Sequence, residues 1–195
     1  IPISFAILTR IAANLGNATV AAFGVGSRIE SIAMIGLIAL SAVIIPFLGQ
    51  NFGAKNFDRI KEANRFSLIF ALVWGTISWV FLGLLSEIIA WAFSKDMVVQ
   101  ELIKDFLWIV PFSFAFQGIS QLISASCNAL GRPFHSTTLN IIRLFVFLIP
   151  SAYTGANIWG STGFFLGITI GNLFTGLISW FWFKNIILPS SLNDE

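Results

Sequence analysis

Long apolar stretches separated by short charged clusters dominate this chain. Charged residues are missing from four intervals, at 31–54, 66–86, 106–131 and 144–183. A membrane-spanning helix needs about 20 consecutive apolar residues, so each of the first three intervals predicts one spanning helix. The fourth interval is long enough for two, and Pro150, Gly155 and Gly160 mark the region where the chain turns back.

The pattern predicts an all-α fold, a polytopic transmembrane helix bundle with one partial and five complete membrane helices. A lipid-spanning sheet would instead show alternating segments of about ten residues. The first apolar segment is too short to span, which suggests a helix severed from residues before Ile1. We place the helices at 1–14, 19–51, 66–93, 102–130, 134–154 and 160–187, followed by a cytoplasmic tail at 188–195.

Composition supports a chain embedded in membrane lipids. Hydrophobic residues make up 56% and charged residues 10%, against roughly 25% charged in a soluble domain. The net charge of +2 is spread along the chain, which argues against nucleic-acid binding. The single Cys127 has no Cys or His at metal-ligand spacing, so we expect no metal site. Paired catalytic carboxylates or His clusters are also missing, so we expect no enzyme.

Basic residues predict the orientation of the helices, because Lys and Arg stay on the cytoplasmic side. Lys55, Arg59, Lys61 and Arg65 lie in one connector. Arg132 lies in the next connector on that side, and Lys184 ends the last helix. We therefore expect a cytoplasmic C-terminus in the plasma (inner) membrane.

A Gly-rich polar motif ends the helix predicted at 19–51. Its residues are Gly49, Gln50, Asn51, Phe52, Gly53 and Ala54, followed by Arg59. Glycines permit the exit from a helix, and amide side chains can bond the last free carbonyls. From physical chemistry alone, the motif is a helix stop and an anchor.

This motif also resembles the signature that ends the eighth helix of MATE (multidrug and toxic compound extrusion) transporters. Residues 21–30 resemble the start of that helix, and residues 128–133 resemble the exit of the tenth. The resemblance runs from about residue 1 to residue 187. It implies twelve helices in two six-helix lobes, of which this chain supplies the C-terminal lobe and has the N-terminal lobe as its partner.

A polar stripe marks the helix predicted at 102–130. Its members recur every three or four residues and are Ser113, Gln117, Gln121, Ser124 and Asn128. Polar side chains in a membrane bundle either bond neighbouring helices or line a cavity, and both interpretations stay open. As cavity-lining residues they are candidates for the substrate site.

The resemblance also bears on ion coupling. Many MATE proteins have a cation-binding acidic residue on this helix, and by motif spacing Gln117 takes its place here. A neutral amide cannot take up and release a proton. We therefore expect the coupling ion, Na⁺ or H⁺, to bind mainly in the N-terminal lobe, and we expect no other cofactor.

Two charged residues near apolar runs are further candidates, because ionisable groups inside membranes are commonly functional. Glu30 is a candidate for cation coupling, although it lies roughly 30 Å from Gln50 along a straight helix and hence near the outer boundary. Arg28 lies two residues away and points elsewhere, so we expect no pair between them. Arg143 lies near the bilayer centre and is a candidate for buried pairing, gating or contact with an anionic substrate.

Small residues recur every four positions on the last predicted helix, at Gly163, Gly167, Gly171, Thr175 and Ser179. Such a stripe lets helix backbones approach closely. We expect close packing within the lobe, with a dimer contact as the alternative.

The resemblance implies a secondary active transporter that exports amphipathic cationic drugs and toxic compounds by Na⁺ or H⁺ antiport through alternating access. Its substrate would be a small organic cation. A flippase for lipids or lipid-linked oligosaccharides, which shares the superfamily architecture, is one alternative. A purely structural membrane subunit is another.

Overall fold

A computed structural model describes residues 2–184, with side chains from Ile3 onward. Its helices are α1 Pro2–Leu15, α2 Asn17–Ala33, α3 Ile35–Gly53, α4 Phe57–Leu84, α5 Ser86–Phe93, α6 Met97–Ile109, α7 Phe114–Ala129, α8 Pro133–Ile141 and α9 Ile149–Trp182. A 3₁₀ turn, Pro111–Ser113, joins α6 to α7. A π-helical segment, Ile142–Leu148, joins α8 to α9.

Every element assigned within this described part of the chain is helical, which confirms the predicted all-α class. Four segments are long and apolar enough to cross a membrane: Ile35–Gly53, Phe57–Leu84, Met97–Ala129 and Pro133–Trp182. Many large apolar side chains point outward from these segments, among them Val43, Phe81 and Phe181. Only a lipid environment makes such a surface favourable, so the chain is an integral membrane protein.

Helix α7 forms the centre of the bundle and packs against α3, α4, α8 and α9. Small residues bring the neighbours close. A side chain on Gly75 of α4 would overlap the backbone of Ala115, and one on Gly118 would meet Leu37 of α3. Because the lipid offers no hydrophobic driving force between helices, this close packing is a main source of stability.

The long α9 is a helical hairpin. Trp159 and Gly160 leave helical geometry, and Gly160 has φ 62° and ψ −136°, a conformation that favours glycine. Beyond the turn, Gly163, Gly167 and Gly171 lie against residues 155, 151 and 148 in turn, so the two arms run antiparallel. The chain therefore turns back at Trp159–Gly160, where the predicted helices 134–154 and 160–187 meet.

The helix predicted at 19–51 is divided into α2 and α3 at Met34. The Leu37 N–H bonds the Met34 carbonyl at 3.0 Å, so the chain tightens there into a shorter turn. The indole N–H of Trp74 on α4 donates to the Ala33 carbonyl at 2.8 Å and satisfies that oxygen in place of the helix. A side chain on Gly36 would overlap the same Trp74 ring. Trp74 therefore contacts the chain both before and after the break and stabilises it.

Other helix boundaries in the structure also differ from those predicted. The helix predicted at 66–93 begins at Phe57, so the basic connector forms its first turns, and it breaks after Leu84 before the short α5. The helix predicted from 102 begins at Met97, where the Asp96 carboxylate accepts the Val98 N–H at 2.9 Å as a cap. The predicted helix end at 185–187 and the tail at 188–195 lie outside the described residues.

The small-residue stripe packs inside the lobe. Gly163, Gly167 and Gly171 contact the first arm of the hairpin. Further along, the Ser179 hydroxyl lies 3.1 Å from that of Ser120 on α7. These intramolecular contacts account for the stripe.

We expect Gly167→Ala to destabilise the protein by about 1–3 kcal/mol, because the added methyl overlaps the Ser151 carbonyl. The matched control is Gly24→Ala on α2, where a methyl meets nothing within 4 Å. Thermal unfolding of the two variants in detergent measures the difference. Equal melting temperatures would contradict the close contact.

Candidate functional site

A cavity of about 400 Å³ opens among α1, α2, α7, the π-helical segment and α9. Apolar residues form much of its wall, including Phe5, Phe23 and Leu148. Its polar members are Ser4, Ser27, Glu30, Ser31, Gln117, Gln121, Asn140, Arg143 and Asn172. An apolar pocket with a few converging polar groups has the character of a ligand site.

A chain of hydrogen bonds crosses the cavity wall. The Gln117 amide donates to Glu30 Oε1 at 2.8 Å. Asn172 Nδ2 of α9 lies 3.4 Å from Gln117 Oε1 and donates to the Ser113 hydroxyl at 3.1 Å. Since Glu30, Gln117 and Asn172 lie on different helices, this chain fixes α2, α7 and α9 relative to one another.

Glu30 therefore lies deeper than the sequence predicted. Gln117 is roughly 16 Å along α7 from Asn128 near the C-terminal end of that helix, which is about half the thickness of the hydrocarbon core. A 2.8 Å hydrogen bond requires Glu30 to lie at the same level. The estimate for a straight helix failed because the chain breaks at Met34, so distance along the chain overstates how far Glu30 lies from Gln50.

Arg143 faces the same cavity from the π-helical segment. Glu30 lines that cavity too, and no ion pair within 4 Å joins the two residues. Its Nε atom is buried and makes no hydrogen bond with the described residues. Wide turns of this kind often mark functional positions in helices.

The polar stripe of α7 serves two purposes. Gln117 and Gln121 line the cavity. Ser124 instead bonds α8, with its hydroxyl 2.6 Å from that of Ser136 and accepting from Asn140 at 3.0 Å. Ser113 is fully buried behind the wall, and Asn128 is exposed near the C-terminal end of α7, outside the lining.

The Gly-rich motif forms a helix exit. The Asn56 N–H bonds the Asn51 carbonyl at 2.8 Å across Lys55, which has a φ of 57°. This pattern closes a helix by satisfying its last carbonyls. Asn51 Nδ2 donates to the Phe47 carbonyl at 2.8 Å, and Arg59 is exposed beside a separate apolar groove between α3 and α4.

Asn172 is one of five polar cavity residues that the sequence analysis did not predict, with Ser4, Ser27, Ser31 and Asn140. It is 3% exposed, and its Oδ1 atom makes no hydrogen bond with the described residues. An amide in the apolar second arm of the hairpin was a usable signal, because polar residues inside membranes are costly. The glycines around it drew attention to packing instead. Within residues 2–184 no group of three His, Cys, Asp or Glu residues could hold a metal ion.

Comparison with known proteins identifies relatives of the whole chain. A family model described as MatE matches residues 1–154. A protein from Shewanella oneidensis named "FAD transporter" is 33% identical over 188 residues, which are 96% of this chain and 42% of that protein. A "Probable multidrug resistance protein NorM" from Bacillus cereus is 24% identical over 87% of this chain and 38% of its own length.

Solved structures agree with these relatives. The Vibrio cholerae MATE transporter VcmN in its bent form superimposes with a TM-score of 0.94 at 29% identity. The match covers 97% of this chain and 43% of VcmN. The chain thus spans about two fifths of the length of the proteins it matches, as the predicted single lobe of a two-lobe protein would.

We expect Asn172→Leu to destabilise the protein by about 1–3 kcal/mol, because Ser113 and Gln117 lose a buried donor. The control is Asn128→Leu, which changes an exposed amide near the end of α7 and should shift stability by less than about 0.5 kcal/mol. Thermal unfolding in detergent compares them. A shift as small for Asn172→Leu as for the control would contradict the buried hydrogen-bond chain.

Proposed function

The chain belongs to the MatE family, and we propose that it forms the C-terminal lobe of a secondary transporter that exports organic compounds by alternating access. The relatives are named as transporters and multidrug resistance proteins, in agreement with the prediction that the chain is not an enzyme. The resemblance predicted from the Gly49–Ala54 motif is confirmed.

The polar cavity is the observation that carries the proposal. Glu30, Gln117, Arg143 and Asn172 converge on one space inside an apolar membrane bundle. Transporters built from two repeats bind substrate between their halves near the bilayer midplane. In this proposal the cavity is one wall of the substrate pathway, and the N-terminal lobe supplies the other.

We propose Na⁺ or H⁺ antiport as the energy source, with the main ion site in the N-terminal lobe. In this lobe Glu30 is the acidic residue that faces the cavity. Its carboxylate is held by the Gln117 amide, which supports Glu30 as a second point where a cation acts. A cationic drug and the coupling ion would both be attracted to it, and such competition is the basis of exchange.

A flavin nucleotide is the second candidate substrate. The FAD transporter from Shewanella oneidensis is 33% identical over nearly the whole chain, compared with 24% for the NorM protein. Arg143 in the cavity also suits an anionic substrate better than a cationic one. A flippase for lipid-linked oligosaccharides has less support, because Arg143 is the one basic residue among the lining residues of this cavity.

Transport by the full-length protein in proteoliposomes tests the proposal. Export of ethidium and of FAD is followed by fluorescence under an imposed Na⁺ or pH gradient. We expect gradient-driven movement of at least one of them, and movement of neither would overturn the transport function. Expression of residues 1–195 alone should give no transport, because half of the cavity wall is then missing.

Gln117→Ala should weaken transport or substrate affinity roughly fivefold or more, because Glu30 loses its donor and the wall changes shape. The matched control is Gln100→Ala, whose amide bonds the Ser94 carbonyl outside the cavity. Initial transport rates over a range of substrate concentrations separate the two variants. Unchanged transport and affinity in Gln117→Ala would remove Gln117 from the substrate pathway.

A further inference from the structure

Arg143 carries a positive charge into the interior of the bundle without a direct ionic partner. Within residues 2–184, no Arg143 nitrogen comes within 4 Å of a Glu30 oxygen. The buried Nε also makes no hydrogen bond there. An unpaired guanidinium in a membrane interior is costly. A ligand group that pairs with it therefore gains a large favourable free energy of binding.

Glu30 does not complete this site as a structural partner. One of its oxygens accepts from Gln117, and no ion pair within 4 Å joins it to Arg143. A purely structural ion pair would close to hydrogen-bonding distance, because the interaction is worth most there. Both side chains instead line the same cavity.

The surroundings of Arg143 suit a polar ligand that approaches through the cavity. Gln121 of α7 lines the same wall. The amide N–H groups of Gln121 are hydrogen-bond donors, and a donor suits a ligand oxygen.

We propose that Arg143 is the anchor of an anion-binding subsite that holds the phosphate group of an organic substrate. This inference rests on the proposed transport function and assigns part of the substrate's chemistry to one side chain. Guanidinium groups pair with phosphate through two parallel hydrogen bonds, which gives both affinity and orientation. The phosphate lies on Arg143, and the uncharged part of the substrate packs on the apolar wall near Phe5 and Phe23.

Binding to the purified full-length protein tests the subsite with three fluorescent probes. FAD carries a diphosphate, riboflavin has the same ring without phosphate, and ethidium is a cation. We expect the wild type to bind FAD more tightly than riboflavin and to lose that preference as salt is added. Inorganic pyrophosphate should displace FAD from the wild type, a result that needs no variant and therefore does not depend on a mutant folding.

Arg143→Gln should weaken FAD binding roughly tenfold to a hundredfold, because a charge-assisted hydrogen bond is lost. Its riboflavin and ethidium affinities should stay near those of the wild type. Arg143→Lys keeps the positive charge but cannot make two parallel hydrogen bonds to a phosphate. It should therefore recover part of the FAD affinity. Arg65→Gln is the matched control, since Arg65 is exposed in the first turns of α4 outside the cavity, and it should change none of the three affinities.

Several outcomes would overturn the subsite. Equal binding of FAD and riboflavin, no displacement by pyrophosphate, or a uniform loss of all three probes in Arg143→Gln would each do so. An effect of Arg143→Gln that requires phosphatidylglycerol in nanodiscs, and vanishes in phosphatidylcholine alone, would assign the anion to a lipid headgroup instead. If ethidium is transported but Arg143→Gln leaves FAD affinity unchanged, the anion subsite is ruled out and the proposed transport function is not affected.

Discussion

The need to satisfy polar groups without water governs this lobe. In hydrocarbon an unpaired amide or hydroxyl costs several kcal/mol, so each buried polar side chain has to find a partner in the protein or a wet cavity. Helix α7 lies at the centre of the bundle and carries several such groups. Ser120 bonds α9, Ser124 bonds α8, and Ser126 donates to Asn64 of α4 at 2.8 Å. The polar side chains of one helix thus hold three others in place.

The same rule separates the structural residues from the candidate site. Where a neighbouring helix comes close, the polar group is fully paired, as Ser126 is with Asn64. Where α1, α2 and α9 leave a gap, Glu30, Gln117, Asn172 and Arg143 face a cavity. Arg143 Nε and Asn172 Oδ1 are two of the three buried side-chain atoms without a hydrogen-bond partner among the described residues, and the third is Trp182 Nε1 outside the cavity. Convergence of polar groups on one gap in a dense bundle is therefore what distinguishes the site.

Much of the fold was predictable, because lipid imposes strong constraints on sequence. Charge-free runs located the membrane helices, and Gly160 lies inside the predicted reversal. The break at Met34 was not predictable, since no Pro or Gly stands at that position and the break depends on Trp74, which lies 41 residues from Ala33. The level of Glu30 was missed for the same reason. Its hydrogen bond to Gln117 joins residues 87 positions apart, and no local pattern reports such a contact.

Glu30 and Arg143 also constrain how a transport cycle could run. They are the two ionisable residues among those lining the cavity, and their side chains form no salt bridge within 4 Å. Closing the cavity dry would strip water from two ionisable groups that form no ion pair with each other, at a cost of several kcal/mol each. A bound ion or substrate would lower that cost by replacing the lost water. In the proposed transport cycle an occupied cavity would therefore change access more easily than an empty one, and this asymmetry would tie the movement of one solute to that of another.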